Sequence, residues 1–192
     1  MGCTSSNIAA AATTTSNPTH KVGKSSGQHQ VLFFPDPALP CRYGSKCRRG
    51  KNCEFSHERT SLVRFIQFLR HTKSSIDICV FTITCNDIAR EIMDLYKRGV
   101  KVRIITDTQQ STNIGSDIAK FREAGIKVKE DHTPHHMHHK FAIIDCKIVM
   151  TGSFNWTRSA VLNNKENIVV TDVKPVVQAF TQEFENLWKA FH

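Results

Sequence analysis

The fold is most constrained by two short apolar runs between His138 and Asn155, which only the turn Asp145-Cys146-Lys147 separates. A tight turn between two β-rich runs is typical of a hairpin, so these runs should pair antiparallel. From about residue 60, other β-rich segments alternate with segments of helical periodicity. Such alternation indicates a sheet covered by helices. The sequence therefore predicts an α/β class protein, an α/β/α sandwich with a mixed β-sheet.

Caps and turn residues set the expected limits of the elements. Thr60 is a suitable N-cap for the first helix, Gly99 and Gly125 stand where helix C-caps belong, and Pro175 opens the last helix. We expect helices at 62–71, 87–97, 114–124 and 175–190, and strands at 76–83, 100–105, 126–128, 139–145, 148–151 and 167–171.

The composition divides the chain into three parts. Residues 1–35 begin with a stretch rich in Ala, Ser, Thr, Asn and Gly, and we expect them to form a disordered N-terminal tail. Residues 36–59 contain a cluster of metal-ligand residues and should form a small zinc finger. Residues 60–192 carry the alternating elements and should form the catalytic domain.

Charge and the N-terminus bear on the partners of the chain. The net charge is +9 and the pI is about 9.4, which indicates an anionic partner, either nucleic acid or acidic lipid headgroups. No run approaches the ~20 apolar residues that a bilayer span requires. Gly2 and Cys3 match an acylation motif and could carry a lipid anchor, giving membrane association. The alternative is an unmodified tail.

Three cysteines and a histidine form the metal-ligand cluster, in the order Cys41-x5-Cys47-x5-Cys53-x3-His57. Three thiolates and one imidazole suffice for a closed, structural Zn²⁺ site, and the spacing resembles CCCH zinc fingers. The alternative is three reduced cysteines near an unrelated histidine. Basic residues and aromatic residues alternate between the ligands, which suits single-stranded RNA. A purely structural finger remains the competing hypothesis.

His138 and Lys140 form an H-x-K pair that occurs once in the chain. Two residues that are two positions apart on a strand project from the same face. One side chain can attack a phosphorus atom while the other holds a phosphate oxygen. Because such chemistry needs a second imidazole to protonate the leaving oxygen, a chain with one pair supplies half a site. The sequence therefore predicts a homodimer.

With its downstream residues, this pair resembles the HKD motif of the phospholipase D superfamily, and within it the single-motif Zucchini or mitochondrial cardiolipin hydrolase family. The similarity spans about residues 60–192. It implies a phospholipase D-like domain with no catalytic metal. The residues that carry it are His138, Lys140, Asp145, Gly152, Ser153, Asn155 and Glu166.

The resemblance also implies roles. Besides the nucleophile His138, the catalytic set would include Lys140 and Asn155, which bind the phosphate oxygens of the substrate together with Ser153. Glu166 would orient an imidazole and favour its protonated form. Asp145 belongs to the motif, but we expect it to be structural and to pair with a basic group.

The family allows more than one function. We expect a metal-independent endoribonuclease specific for single strands, of the type that processes piRNA precursors. The first alternative is a phospholipase D that hydrolyses cardiolipin to phosphatidic acid, and the second is an inactive RNA-binding module. By resemblance the protein would lie at the cytosolic face of the mitochondrial outer membrane. Another membrane, reached through N-terminal acylation, and the cytoplasm are the alternatives.

Four further histidines surround the motif, at 132, 135, 136 and 139. A second zinc site is one interpretation of this loop. The other is a set of polar side chains that line the substrate groove.

Overall fold

The structure is a computed structural model that describes residues 28–192. The disordered tail predicted for residues 1–27 and the acylation predicted at Gly2 and Cys3 lie outside the described residues.

A seven-stranded mixed sheet forms the centre of the molecule, with the strand order β1-β7-β6-β5-β2-β3-β4. Strands β2, β3 and β4 are parallel, whereas every other neighbouring pair is antiparallel, including the predicted β5–β6 hairpin. The strands are β1 (Gln30–Phe34), β2 (Ser75–Val80), β3 (Lys101–Thr106), β4 (Lys127–Glu130), β5 (Lys140–Ile144), β6 (Ile148–Gly152) and β7 (Glu166–Thr171).

Helices cover both faces of the sheet. They are α1 (Ser61–Arg70), α2 (Asn86–Lys97), α3 (Thr108–Ser111), α4 (Ile118–Glu123), α5 (Arg158–Leu162) and α6 (Lys174–Ala190). The larger core cluster packs α1, α2, α4 and α5 on one face, and the smaller cluster packs α6 on the other through Val177 and Phe184. The predicted α/β/α sandwich is therefore confirmed. Within residues 28–192, no helix combines the length and apolarity of a bilayer span.

Capping and turn residues in the sequence predicted where most of the helices and strands begin and end. The Thr60 hydroxyl accepts a hydrogen bond from the Val63 N–H at 3.4 Å, as expected of an N-cap. Gly99 and Gly125 follow their helices with φ of +84° and +91°, the left-handed conformation that glycine adopts without a steric penalty. The prediction for 114–124 was less accurate, because helix α4 begins only at Ile118. Helices α3 and α5 were not predicted.

The first strand corrects the predicted domain division. Residues 30–34, assigned above to a disordered tail, form β1 and pair antiparallel with β7 from Gln30↔Val170 to Phe34↔Glu166. Leu32 and Phe34 are buried in the larger core cluster. An edge strand adds a row of hydrogen bonds and buries alternate side chains, which explains why so short an apolar run is ordered here.

The cysteine-rich segment is consequently an insertion between β1 and α1. Both carboxylate oxygens of Asp36 accept hydrogen bonds from the first turn of α1, at 2.9 Å from the Ser61 N–H and 2.8 Å from the Leu62 N–H. Within the insertion, the Cys41 N–H donates to the Ser56 carbonyl at 2.8 Å. These contacts hold the two ends of the insertion together at the sheet.

Strands β6 and β7 approach each other closely at Gly152. A Cβ atom at this position would lie 2.0 Å from the Asn167 carbonyl oxygen, which is too close for any side chain. We expect Gly152→Ala to lower the free energy of unfolding by about 1–3 kcal/mol, because the strands must separate locally. Urea unfolding measures the change. The control is Lys147→Ala, on the exposed turn before β6, and an equal effect of both variants would contradict the explanation.

Candidate active site

Most of the predicted catalytic residues lie along one edge of the sheet, where β2 and β6 end and β5 and β7 begin. The register places Lys140, the first residue of β5, opposite Val80, the last residue of β2. On the other side of β5, Phe141 pairs with Thr151, so Gly152 lies beside Lys140 at the end of β6. Strand β7 begins at the same edge with Glu166. Antiparallel pairing therefore gathers residues that are distant in sequence.

Phe81 is the platform on which the H-x-K pair rests. Its ring centroid lies 4.8 Å from that of His138 and 5.2 Å from that of His136, and the Lys140 Nζ lies 5.1 Å from it. The Phe81 N–H also donates to the His139 carbonyl at 3.0 Å. The sequence analysis missed this residue. Its apolar type was visible, but its contacts depend on the pairing of β2 with β5.

Burial and nearby charges shift the pKa values of both His138 and Lys140. The pKa of His138 is lowered, first by partial burial and then by the positive charge of Lys140 and a contribution from His136, while Asp107 opposes the change. Burial also lowers the pKa of Lys140, against the opposing charge of Glu166. The ammonium donates to the His138 carbonyl at 2.8 Å and lies over the Phe81 ring, which the His138 imidazole also contacts. A lowered pKa favours neutral His138, the form that can act as a nucleophile.

The structure places the other substrate-binding candidates at the same edge. Ser153 is exposed, and its hydroxyl accepts from the Asn167 N–H at 3.2 Å. Asn155 is half-buried, and its buried Oδ1 has no hydrogen-bond partner among residues 28–192. The Oδ1 can only accept, so the atom that could contact a phosphate oxygen is Nδ2, which makes no hydrogen bond among residues 28–192.

Within this chain, the observed interactions of Glu166 are with Asn164 and Lys140. Its carboxylate accepts from the Asn164 amide at 3.2 Å, and its charge acts on Lys140. Among the described residues it makes no hydrogen bond to His138. Its observed effect is on the protonation of the lysine, and its orientation of an imidazole stays a prediction.

Asp145 lies at the opposite edge of the sheet, five strand residues from Lys140 or about 17 Å along β5. Its carboxylate accepts from the backbone N–H groups of residues 73–75 at 2.7–3.2 Å and from the Ser74 hydroxyl at 2.8 Å. The structural role is as expected, but the expectation of a basic partner is wrong. The turn at the start of β2 supplies free N–H donors, and these satisfy the carboxylate.

The histidine-rich loop has dispersed contacts rather than a common centre. His136 Nδ1 lies 3.3 Å from the Asp107 carboxylate, and His139 Nε2 lies 3.8 Å from Glu183. Across residues 28–192, only the cysteine cluster brings together three or more potential metal ligands. The loop therefore offers no second metal site among the described residues.

The cysteine cluster has the geometry of a metal site. The ligand atoms of Cys41, Cys47, Cys53 and His57 all lie within 4.8 Å of one another. The Cys53 Sγ is 3.7 Å from that of Cys47 and 3.8 Å from that of Cys41. Sulfurs bound tetrahedrally to Zn²⁺ at about 2.3 Å would lie about 3.8 Å apart. His57 Nδ1 contacts the Gly44 carbonyl at 3.1 Å, which leaves Nε2 for a metal.

Comparison with known proteins identifies relatives of this chain. A family model described as cardiolipin synthase, PLD-like domain, matches residues 65–188. A relative named mitochondrial cardiolipin hydrolase, from Chlamydomonas reinhardtii, is 49% identical over 168 residues, which cover 86% of this chain and 75% of the relative. A human relative of the same name is 35% identical over 173 residues, covering 86% and 69%.

Solved structures resemble the fold as well. The crystal structure of a phospholipase D family member, Nuc from Salmonella typhimurium, has a TM-score of 0.70 at 25% identity and covers 87% of this chain and 97% of that one. NucT from Helicobacter pylori has a TM-score of 0.65 at 25% identity, with coverage of 85% and 98%. Sequence and fold thus agree on one group of relatives.

The Phe81 platform yields a test of the His138 environment. We expect Phe81→Leu to raise the pKa of His138, because the smaller side chain admits water next to the imidazole and water stabilises the charged form. NMR titration of the His138 ring measures the change, with Phe180→Leu, on α6 in the smaller core cluster, as the control. An unchanged or lowered pKa would mean that other groups cause the desolvation.

The Asp145 contacts predict a stability effect that depends on pH. The hydrogen bonds from residues 73–75 lower the pKa of this carboxyl against the opposing effect of burial. Its contribution to stability is therefore full above the unfolded value of about 3.9 and is lost as the pH falls through the folded pKa. We expect Asp145→Asn to lower the free energy of unfolding at pH 7 by about 1–3 kcal/mol.

The difference from the wild type should shrink below about pH 4, where the carboxyl is protonated in the unfolded chain. Denaturant unfolding across a pH series measures it. Asp94→Asn is the matched control, since the Asp94 side chain makes no hydrogen bond among residues 28–192. A difference that stays constant down to low pH would show that the lost contacts are not those of the charged carboxylate.

Proposed function

Because the chain belongs to the phospholipase D-like family and is a phosphodiester hydrolase, we propose that it is a homodimeric endoribonuclease specific for single-stranded RNA. The observation that carries the proposal is the one H-x-K pair, in which the exposed His138 and Lys140 both contact Phe81. One such histidine per chain is half of what the reaction requires, and a second subunit supplies the rest.

The first chemical step forms a phosphohistidine. The neutral imidazole of His138 attacks phosphorus, an N–P bond forms, and the P–O3′ bond breaks on the opposite side. The O3′ leaving group takes a proton from the imidazolium of the second subunit. In the second step that imidazole removes a proton from water, and the resulting hydroxide displaces His138. The products carry a 3′-hydroxyl and a 5′-phosphate.

Charge on the phosphate is stabilised by groups from both subunits. The Lys140 ammonium is held at the His138 carbonyl, and the Asn155 Nδ2 is a donor that makes no hydrogen bond among residues 28–192. Negative charge that develops on the non-bridging oxygens is stabilised by these groups and by the Ser153 hydroxyl. The lowered pKa of His138 supports attack at neutral pH, while the negative phosphate raises the pKa of the second imidazole and keeps it protonated.

The preference for RNA rests on charge. A net charge of +9 and the basic finger favour a polyanion along its whole length. The alternative substrate is cardiolipin, which would be hydrolysed to phosphatidic acid by the same two steps. The names of the relatives, mitochondrial cardiolipin hydrolase, favour this second candidate. An inactive RNA-binding module is disfavoured, because the residues of the half-site are all present.

The cysteine cluster is proposed to hold a structural Zn²⁺. The sulfur separations and the free His57 Nε2 support this assignment. The bound ion would supply most of the folding free energy of so small a segment and takes no part in the reaction. The names of the relatives support a mitochondrial location. We propose the cytosolic face of the outer membrane by the family resemblance. Acylation would allow another membrane, and the cytoplasm is the remaining alternative.

Cleavage assays in EDTA test the proposal. We expect the wild-type protein to cut single-stranded RNA, to spare duplex RNA and to leave 5′-phosphate ends, with bound zinc measured in parallel. His138→Asn should reduce the rate by at least about a thousandfold, because no other group can form the covalent intermediate. His71→Asn, at the end of α1, is the matched control.

Other outcomes separate the candidates. Hydrolysis of cardiolipin vesicles without RNA cleavage would favour the lipase. A fully active monomer in analytical ultracentrifugation would contradict the shared site, and loss of activity in EDTA with zinc retained would contradict a metal-independent reaction.

A further inference from the structure

A cleft of about 380 Å³ separates the finger from the N-terminal end of α2. The finger contributes Arg42, Tyr43, Arg49 and Phe55 to its walls, and Arg158 of α5 contributes from the catalytic domain. Three of the proposed metal ligands, Cys41, Cys47 and Cys53, also line the cleft, so part of this volume belongs to the metal site. A volume of this size lies in the range of small-ligand sites. None of these residues belongs to the half-site described above, and the reaction does not account for them.

The chemistry of the walls matches an unpaired nucleotide. Tyr43 is 73% exposed and Phe55 is 40% exposed, so both aromatic side chains are open to a ligand. The three arginine side chains are exposed and make no hydrogen bond or ion pair among residues 28–192. The acid in the cleft, Asp87, already pairs with Arg90 at 3.0 Å. The cleft therefore combines flat apolar surfaces with unpaired positive charge, as single-strand binding sites do.

Backbone hydrogen bonds connect the cleft to the edge of the sheet that carries the half-site. The N–H groups of Thr84 and Cys85, which line the cleft, both donate to the Trp156 carbonyl at 3.0 Å. Trp156 directly follows Asn155, and Thr84 follows Phe81 by three residues, so its Cα lies no more than about 11 Å from that of the platform residue. A strand bound at the half-site can therefore reach the cleft.

We propose that this cleft is a nucleotide-binding subsite, in which one unpaired base of the RNA stacks on Tyr43 and Phe55 while the adjacent phosphates pair with the arginines. The inference rests on the proposed function, because it assumes that the polyanion at the half-site is RNA. A base held in a helix presents its faces to its neighbours and is not available to these rings. The subsite thus adds a selection for single strands at the finger.

Binding to a cleavage-inactive protein tests the subsite. The full-length His138→Asn protein, with its bound zinc measured, is titrated against a fluorescent oligoribonucleotide of about ten nucleotides. We expect Tyr43→Ala to weaken binding at least about fivefold, and Tyr43→Phe to restore it because the ring remains. The slope of log Kd against log salt should be unchanged by Tyr43→Ala, since no phosphate contact is lost.

Substitution of the arginines, in contrast, should change the salt dependence of binding. Arg49→Gln and Arg158→Gln should each reduce the salt slope by about 0.7, the value for one phosphate contact on a single strand. Lys97→Gln is the matched control: it removes one positive charge from the exposed C-terminal end of α2, about 16 Å along the helix from the cleft. It should change neither the affinity nor the slope appreciably.

An abasic strand of equal length completes the test. We expect it to bind more weakly than the normal strand and to be insensitive to Tyr43→Ala. The subsite would be overturned if the Tyr43→Ala protein bound RNA as tightly as the protein that keeps Tyr43. It would also be overturned if Tyr43→Ala weakened binding of the abasic strand as much as binding of the normal strand. Wild-type cleavage of RNA and of bis(p-nitrophenyl) phosphate, measured alongside, distinguishes the two failures. If RNA is cut normally, only the subsite is wrong. If only the small ester is hydrolysed, the assignment of RNA is wrong as well.

Discussion

The antiparallel pairing of β5 with β2 determines where the H-x-K pair lies. Because β5 runs against β2, its first residue, Lys140, meets the end of β2, where Phe81 emerges. The parallel strand β3 ends at the same edge and delivers Asp107, which contacts His136. If β5 ran parallel to β2, its first residue would lie at the far edge, beside the turn that holds Asp145. The chemistry of this chain is therefore a consequence of strand direction.

Local sequence signals predicted the fold and part of the candidate active site. The alternation of strands and helices, the hairpin turn and the cap at Thr60 act over a few residues, and each is confirmed. The errors concern interactions between distant parts of the chain. Strand β1 is ordered by pairing with β7, about 135 residues later. Phe81 and the N–H groups around Asp145 are ordinary in sequence and gain their roles only from the strand register.

The proposed reaction also places an electrostatic requirement on the half-site. In the proposed homodimer, the symmetric pair of imidazoles would work in two different protonation states, one neutral to attack and one charged to protonate the leaving oxygen. Partial burial and Lys140 lower the pKa of His138, so the free site favours the neutral form. A phosphodiester between two such rings brings the negative charge that lets one of them hold a proton. The substrate itself can thus create the asymmetry that the reaction needs.

The position of the finger is the last consequence of the sheet. A finger that merely preceded the domain would be tethered at one end. Here β1 lies before it and α1 after it, and Asp36 binds the first turn of α1 across the gap. Tyr43 and Phe55 are each within two residues of a cysteine of the cluster. A metal bound by the cluster would therefore fix the two rings relative to the sheet, and through Trp156 relative to Asn155. Loss of the metal should loosen the cleft while the core of the sheet, built from other residues, remains folded.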